Sequence, residues 1–222
     1  MESPAEVLMR ALEGRRLGGY SLLPRDLKPG RTGRETYFHL FLLRDGGISS
    51  NPVVEGLFFA GRGDYIRPWL EFRYRPDVAF SGGAHADLEG EGLTAALFSV
   101  LGELIPPGGS MMAIYGAEEH PLFRETERGL KRGFPPPATP LGRYLWNAGL
   151  RWFKDWYFPE GWLEGNMKLQ ATRPLDDAIR AERERGIREE LRAFIAVMEG
   201  RTLETWEEDA LSRAREVLSG LV

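Results

Sequence analysis

The sequence contains no cysteine among its 222 residues. This absence excludes disulfide bonds, thiolate nucleophiles, iron–sulfur clusters and cysteine-ligated zinc. Histidine is scarce as well, since the chain holds only His39, His85 and His120. Few routes to a metal site remain, and we expect no metal cofactor.

Long apolar runs are also missing, because no segment approaches the ~18 consecutive apolar residues that a membrane-spanning helix requires. The N-terminus lacks the basic, apolar and small-residue order of a signal peptide, so we expect a cytoplasmic protein without a membrane partner. Basic residues are not in excess, and the net charge is −4. Nucleic-acid binding draws most of its affinity from clustered Lys and Arg, so we expect no nucleic-acid partner.

The residues that are present favour a packed domain, since 42% of the chain is hydrophobic and disordered chains contain less. Short runs of β-branched, aromatic and leucine residues predict antiparallel strands at 37–43, 53–60 and 66–74. The polar segment 24–35 before them, rich in Gly, Pro and Arg, is predicted to be a loop.

Helical spacing of leucines over 93–104 predicts the clearest helix of the chain, and the apolar run 110–115 after it predicts a buried strand. Beyond these elements we expect helices at 119–131 and 141–148 and strands at 151–157 and 166–172. A capping box at Thr205 and the apolar stripes on either side of it predict a helical hairpin at the C-terminus.

The predicted fold class is therefore α+β, or mixed α/β, with one domain over residues 1–174 and the helical hairpin over 175–222. We expect the hairpin to pack on this domain or on a second subunit, and its apolar stripe offers a surface for a homodimer. Four clustered tryptophans are expected mainly to pack in the core: Trp146, Trp152, Trp156 and Trp162.

A Gly-x-Gly motif directly precedes the clearest predicted helix, with Gly90 and Gly92 as its glycines and Leu93 following. Glycines let the backbone approach a ligand closely, and the unpaired N–H groups of a first helical turn attract anions. The same motif also occurs as a plain tight turn. Both interpretations stay open.

The order of elements over residues 36–173 resembles that of the GNAT acyltransferase superfamily, with Gly90, Gly92 and the segment from Tyr144 to Leu150 as the matching residues. The resemblance implies a GNAT-like central, mostly antiparallel sheet flanked by helices. It also implies acetyl-CoA as the cofactor, held by Gly90, Gly92 and Leu93.

The same resemblance implies that the protein is an acyl-CoA-dependent N-acyltransferase acting on a small-molecule or peptide amine. Glu71 would be the general base that deprotonates this amine, and Tyr144 would be the general acid toward the departing thiolate. The ordinary alternatives are an ion-paired strand residue for Glu71 and helix packing for Tyr144.

Acidic residues around the glycines favour a second hypothesis. Asp87 stands where members of the superfamily usually carry Gln or Arg, and Glu89 and Glu91 flank the motif. Negative side chains oppose pyrophosphate binding unless they point away from it. The alternative function is therefore a non-catalytic GNAT-like ligand-binding or homo-oligomeric module, and the chain is also similar to an uncharacterised prokaryotic family of unknown function.

A third hypothesis is metal-assisted hydrolysis. His85, Asp87 and Glu89 stand at alternate positions, which an extended segment would point the same way. A polar loop between glycines explains this pattern equally well.

Overall fold

The structure is a computed structural model that describes residues 2–31, 33–61, 67–116, 120–158 and 166–221. The strands are β1 Arg16–Leu17, β2 Tyr20–Pro29, β3 Glu35–Arg44, β4 Gly47–Ile48, β5 Val54–Phe59, β6 Trp69–Tyr74, β7 Asp77–Ala79, β8 His85–Asp87, β9 Ser110–Gly116, β10 Trp152–Phe158 and β11 Asn166–Thr172. The helices are α1 Pro4–Leu12, α2 Thr94–Gly102, α3 Pro121–Lys131, α4 Pro140–Asn147, α5 Asp177–Glu199 and α6 Thr205–Ser219, with a 3-10 turn at Pro136–Ala138.

One sheet of nine strands organises the described part of the chain. Its order is β1-β2-β3-β5-β6-β9-β11-β10, and β4 pairs with β3. Among the described strands, β6 and β9 form the single parallel pair, and the other pairs of this sheet are antiparallel. The predicted mixed α+β fold, with a mostly antiparallel sheet flanked by helices, is confirmed.

Alternation along β6 places Leu70, Phe72 and Tyr74 on the buried face of the sheet. On this face Phe98 of α2 contacts the ring of Phe72 edge to face, with 5.6 Å between centroids, and the ring of Tyr74 at 5.3 Å. Buried residues of α1, α2, α3 and α4 join the same core. The helices that build this core therefore lie on one side of the sheet.

The segment predicted to be a loop, 24–35, is mostly strand, because β2 continues to Pro29 and pairs with β3. The prediction was wrong because pairing with a neighbouring strand outweighs local turn preferences. Beyond Ser21 β2 is the free edge of the sheet, so the missing N–H of Pro24 costs no bond to a further strand. A bulge follows at Asp26, whose φ is 53°, a conformation that Asp tolerates better than most residues.

The two C-terminal helices share a second core with the Pro-rich segment before α4. Trp206 of α6 stacks on Phe134, with 5.4 Å between ring centroids. The guanidinium groups of Arg128 and Arg132 lie over the same indole, at 4.1 and 5.0 Å from its centroid. These contacts attach the helical pair to α3 of the same chain.

The clustered tryptophans have different environments. Trp146 is buried, and the guanidinium of Arg151 lies over its ring at 4.0 Å from the ring centroid. Trp152, in contrast, is 57% exposed. The side chain of Trp156 and all of Trp162 lie outside the described residues. None of the described helices is long and apolar enough to cross a membrane.

The carboxylate of Glu207 stabilises the start of α6 through a hydrogen bond and an ion pair. It accepts a hydrogen bond from the backbone N–H of Glu204 at 2.9 Å and is almost fully buried beside Arg132, at 2.8 Å. Replacing Glu207 with Ala should lower the free energy of unfolding by about 1–3 kcal/mol in urea denaturation, because a cap and an ion pair are lost together. The matched change Glu208→Ala, on the exposed neighbour, should stay within about 0.5 kcal/mol of wild type. Equal losses in both variants would contradict this assignment.

Candidate functional site

The Gly-rich segment between β8 and α2 forms a tight turn. The N–H of Glu91 donates to the carbonyl of Asp87 at 2.8 Å, and the N–H of Gly92 donates to that of Glu89 at 3.0 Å. Gly92 has a φ of +70°, which a side chain would strain, and a Cβ on Gly90 would lie 2.7 Å from a carboxylate oxygen of Asp87. The backbone of the turn therefore requires Gly92, whereas a side chain at Gly90 would displace the carboxylate of Asp87.

The first helical turn of α2, which follows the Gly-rich segment, has free backbone N–H donors. The N–H groups of Leu93 and Thr94 both donate to the carbonyl of Leu88, at 2.7 and 3.2 Å. Those of Ala95 and Ala96 have no acceptor within the described ranges, and no side chain caps the helix. Two backbone donors at a positive helix end can hold one anionic group.

The acidic side chains of the turn are held by tyrosines on either side of it. The hydroxyl of Tyr144 on α4 donates to the two carboxylate oxygens of Glu89, at 2.6 and 2.7 Å. The hydroxyl of Tyr20 on β2 donates to Glu91 at 3.1 Å and accepts from Arg44, also at 3.1 Å. Two of the three acids that oppose anion binding are therefore drawn toward separate flanking elements.

Tyr144 is a hydrogen-bond donor in this arrangement. Burial raises the pKa of its phenol, and the hydrogen bond and negative charge of Glu89 raise that pKa further. A phenol with a raised pKa keeps its proton and donates it less readily than an ordinary tyrosine. This geometry suits positioning of Glu89 better than the predicted role of general acid.

A cluster that the sequence did not reveal joins Asp77, Asp87 and His120. Nε2 of His120 lies 3.8 Å from a carboxylate oxygen of each aspartate. The two aspartates face each other across the β7–β8 hairpin, which was not predicted, and His120 is the N-cap of α3. The metal hypothesis had instead grouped Asp87 with its sequence neighbours.

A hydrogen bond to Nδ1 of His120 determines which ring nitrogen carries the proton. The backbone N–H of Leu122 donates to Nδ1 of His120 at 3.2 Å, so the neutral ring carries its proton on Nε2, which faces the aspartates. In this neutral tautomer Nε2 directs an N–H dipole toward the carboxylates and offers no lone pair to a metal. Three potential ligand atoms lie within 4.8 Å of one another, yet the histidine is oriented as a donor.

Glu71 lies on the opposite face of the sheet from Tyr144 and the core. Its carboxylate oxygen is 2.7 Å from Nζ of Lys168, which extends from β11 across the intervening strand β9. Next to this pair, Ser110 and Thr172 share a hydrogen bond of 2.8 Å, and Gln170 donates to Ser110 at 3.3 Å. Glu71 is thus an ion-paired residue within a polar strip on a partly open sheet face.

The structure brings the predicted residues together only in part. Gly90, Gly92 and Leu93 lie beside Tyr144 through Glu89, at the carboxyl end of β6. Glu71 lies earlier on that strand and on its other face. Lys168 was missed because it is almost one hundred residues from Glu71 in sequence, and only the strand order β6-β9-β11 makes them neighbours.

The orientation of His120 leads to a prediction about metals. Stoichiometric Zn²⁺ or millimolar Mg²⁺ should leave the Tm of the protein unchanged, because Nε2 is protonated and points at the aspartates. His120→Ala should lower stability by about 1 kcal/mol through loss of the helix cap, and His120→Asn should recover most of that loss because Asn is a good cap. A rise in Tm with metal that both variants abolish would show that the histidine is a ligand.

Comparisons with known proteins place the chain in a family. The model described as "Protein of unknown function (DUF1122)" matches residues 18–198. The crystal structure of a protein of unknown function, AQ1966 from Aquifex aeolicus VF5, is similar with a TM-score of 0.70 and 25% sequence identity, over 96% of each chain. No curated protein matches the sequence. The similarity to an uncharacterised family, expected from the sequence, is confirmed, and the chain belongs to the DUF1122 family.

Proposed function

We propose that the protein is an acyl-CoA-dependent N-acyltransferase of GNAT-like fold, acting on a small-molecule or peptide amine. One observation carries the proposal: the parallel pair β6 and β9 ends beside the start of α2, where the hydroxyl of Tyr74, the last residue of β6, shares a hydrogen bond with that of Thr94. Their pairing runs from Trp69 with Ser110 to Arg73 with Ile114, after which β9 continues alongside β11 to Gly116. In open α/β sheets, ligands bind outside the carboxyl ends of the strands.

The first turn of α2 supplies the anion site that such a cofactor needs. The N–H groups of Ala95 and Ala96 would receive the pyrophosphate of CoA at the positive end of the helix. Glu89 and Glu91 are held to the sides by Tyr144 and Tyr20, which lessens their repulsion of phosphate oxygens. The acyl arm would then extend along the carboxyl ends of β6 and β9.

The chemistry assigned to this site is direct transfer. The amine nitrogen forms a bond to the thioester carbon, the carbon–sulfur bond breaks, and the proton of the amine passes to Glu71. Thiols are acidic enough to depart as thiolates, the ordinary pKa of a cysteine thiol being ~8.5, and solvent can protonate the released thiolate. Tyr144 is then not needed as an acid. Before accepting the proton, Glu71 must exchange its contact with Lys168 for the incoming amine.

A second candidate function, a non-catalytic module of the same fold, is favoured by the contacts of the two proposed catalytic groups. Lys168 neutralises Glu71, and Glu89 engages the Tyr144 hydroxyl. Both side chains therefore have stable partners without any substrate. In such a module the fold would bind a ligand or a second copy without chemistry.

Calorimetric titration with CoA and acetyl-CoA separates the two candidates. Ala96 is exposed in the first turn of α2, where a glutamate stabilises a helix but repels a bound anion. We expect the wild type to bind, Ala96→Gln to bind within about twofold, and Ala96→Glu to lose at least roughly tenfold in affinity, or ~1.4 kcal/mol. The glutamate variant should be as stable as wild type. Absence of binding by the wild type would favour the non-catalytic module, and equal affinity in all three proteins would place any CoA site elsewhere.

The role of Glu71 can be tested apart from cofactor binding. Glu71→Gln should reduce thiol release from acetyl-CoA, measured with a panel of primary amines, by roughly 10²- to 10⁴-fold, because the base is lost. Its affinity for CoA should be unchanged. The control is Glu55→Gln on the adjacent strand β5, which should keep its rate. Similar rates in the Glu71 variant and the wild type would remove Glu71 from the mechanism.

A further inference from the structure

A small pocket lies at the opposite end of the sheet from the Gly-rich turn, beside the start of α5. Its volume is about 170 Å³. Five segments contribute to it: Arg67 before β6, Gly108 before β9, Trp152 on β10, Thr172 at the end of β11 with the three residues after it, and Ile179 with Arg183 on α5. The pocket thus joins the sheet to the first C-terminal helix.

Positive charge dominates this pocket, because Arg67, Arg173 and Arg183 line it and, among the described residues, no carboxylate does. A neighbouring cleft of about 890 Å³ shares Arg173 but differs in charge, since four carboxylates line it. There Arg151 lies 2.8 Å from Glu184, and Arg180 lies 3.0 Å from Asp177. In the described part of the chain, no carboxylate pairs with Arg67 or Arg183.

Arg173 contributes a positive charge whose position is fixed by hydrogen bonds. One of its terminal nitrogens donates to the carbonyls of Gly102 and Ala148, at 3.0 and 2.8 Å, which anchors the guanidinium between the ends of α2 and α4. Its Nε is buried without an acceptor among the described residues. Burial lowers the pKa of this arginine, and repulsion from Arg151 and Arg180 lowers it further. An anion in the adjoining pocket would offset this repulsion.

Gly108 makes room for the second arginine. Its φ is +79°, and a Cβ at this position would clash with a terminal nitrogen of Arg67 and lie 2.9 Å from a methyl group of Leu175. A side chain here would therefore displace Arg67 from the pocket. The glycine permits both the backbone conformation and the approach of the guanidinium.

The remaining walls are apolar and partly exposed. Trp152 is 57% exposed and Leu175 47% exposed, and the guanidinium of Arg183 lies 5.0 Å from the centroid of the Trp152 ring. Arginine forks bind carboxylate and phosphate groups with two parallel hydrogen bonds, and a tryptophan face accepts a flat group. The volume equals roughly that of five or six water molecules in the liquid, which suits one small molecule.

We propose that this pocket binds a small organic anion, whose carboxylate or phosphate group contacts Arg67 and Arg183 and whose flat apolar part lies against Trp152. Arg173 contributes through its charge from behind the pocket. The proposal does not depend on acyl transfer, since the pocket lies at the other end of β6 and β9 from the proposed CoA site.

The test is titration of the full-length protein, by calorimetry or ligand-observed NMR, with benzoate and phenyl phosphate as probes and benzamide as the neutral analogue. We expect at least one anion to bind with a Kd below about 10 mM, and raised salt to weaken it because the arginines are exposed. Benzamide should not bind. The preferred probe distinguishes a carboxylate ligand from a phosphate ligand.

Variants locate the binding. Arg67→Gln and Arg183→Gln should each weaken the bound anion at least roughly fivefold, while Arg185→Gln, an exposed arginine of the same helix outside the pocket, should change it less than about twofold. Trp152→Ala should weaken phenyl phosphate but leave inorganic phosphate unaffected. All variants should keep the wild-type Tm. The proposal is overturned if neither anion binds, if benzamide binds equally well, or if Arg185→Gln has the effect of the pocket variants.

Discussion

Tyr74 ends β6 inside the core, where its hydroxyl and that of Thr94 share a buried hydrogen bond of 2.7 Å. Burial raises the pKa of Tyr74 well above its usual range, so the phenol remains neutral and available for this bond. The contact ties the last residue of a central strand to the first residue of α2. This one hydrogen bond therefore joins the two ends of segment 75–93, which contains the β7–β8 hairpin and the Gly-rich turn. The position of the helix N-terminus relative to the end of β6 depends on it.

The carboxylates of the Gly-rich turn, of the β7–β8 hairpin and of Glu71 each face a neutral or a positively charged group. Two glutamates of the turn are bound by tyrosines, and the aspartates of the hairpin face the N–H of His120. On the other sheet face Lys168 neutralises Glu71. A hydroxyl partner leaves the carboxylate charged but fixes its direction, whereas an ammonium partner cancels the charge. The turn therefore stays acidic at defined positions, and the open sheet face is close to neutral around Glu71.

Residue patterns in the sequence predicted the helices whose formation depends on residues close together in the chain. The leucine spacing of α2 and the proline pair that follows it act within a few residues, and the structure contains this helix close to the predicted place. The capping box predicted at Thr205 with Glu208 was wrong by one residue, because Glu204 is the N-cap of α6 and Glu207 is its partner. The extent of β2 was not predictable in this way, because Pro24 and Asp26 have turn preferences that only pairing with β3 overrides. The short β7–β8 hairpin lacks the hydrophobic alternation that reveals longer strands.

The contacts of the site were harder to predict than the elements. Lys168 meets Glu71, and His120 meets Asp77, only because strand order and helix placement bring distant segments together. Tyr144 was singled out from sequence, but its bond to Glu89 depends on how α4 packs against the turn. Residue types and spacing therefore indicated where polar groups would gather, while their pairing required the tertiary structure.

The irregular course of β2 has a consequence for self-association. An exposed edge strand presents a row of free N–H and C=O groups with which a second sheet can pair. Here Pro24 and Pro29 remove two of those donors, and the bulge after Arg25 shifts the register between them. A second copy of the chain would meet an interrupted edge, so continuous sheet extension across β2 is disfavoured.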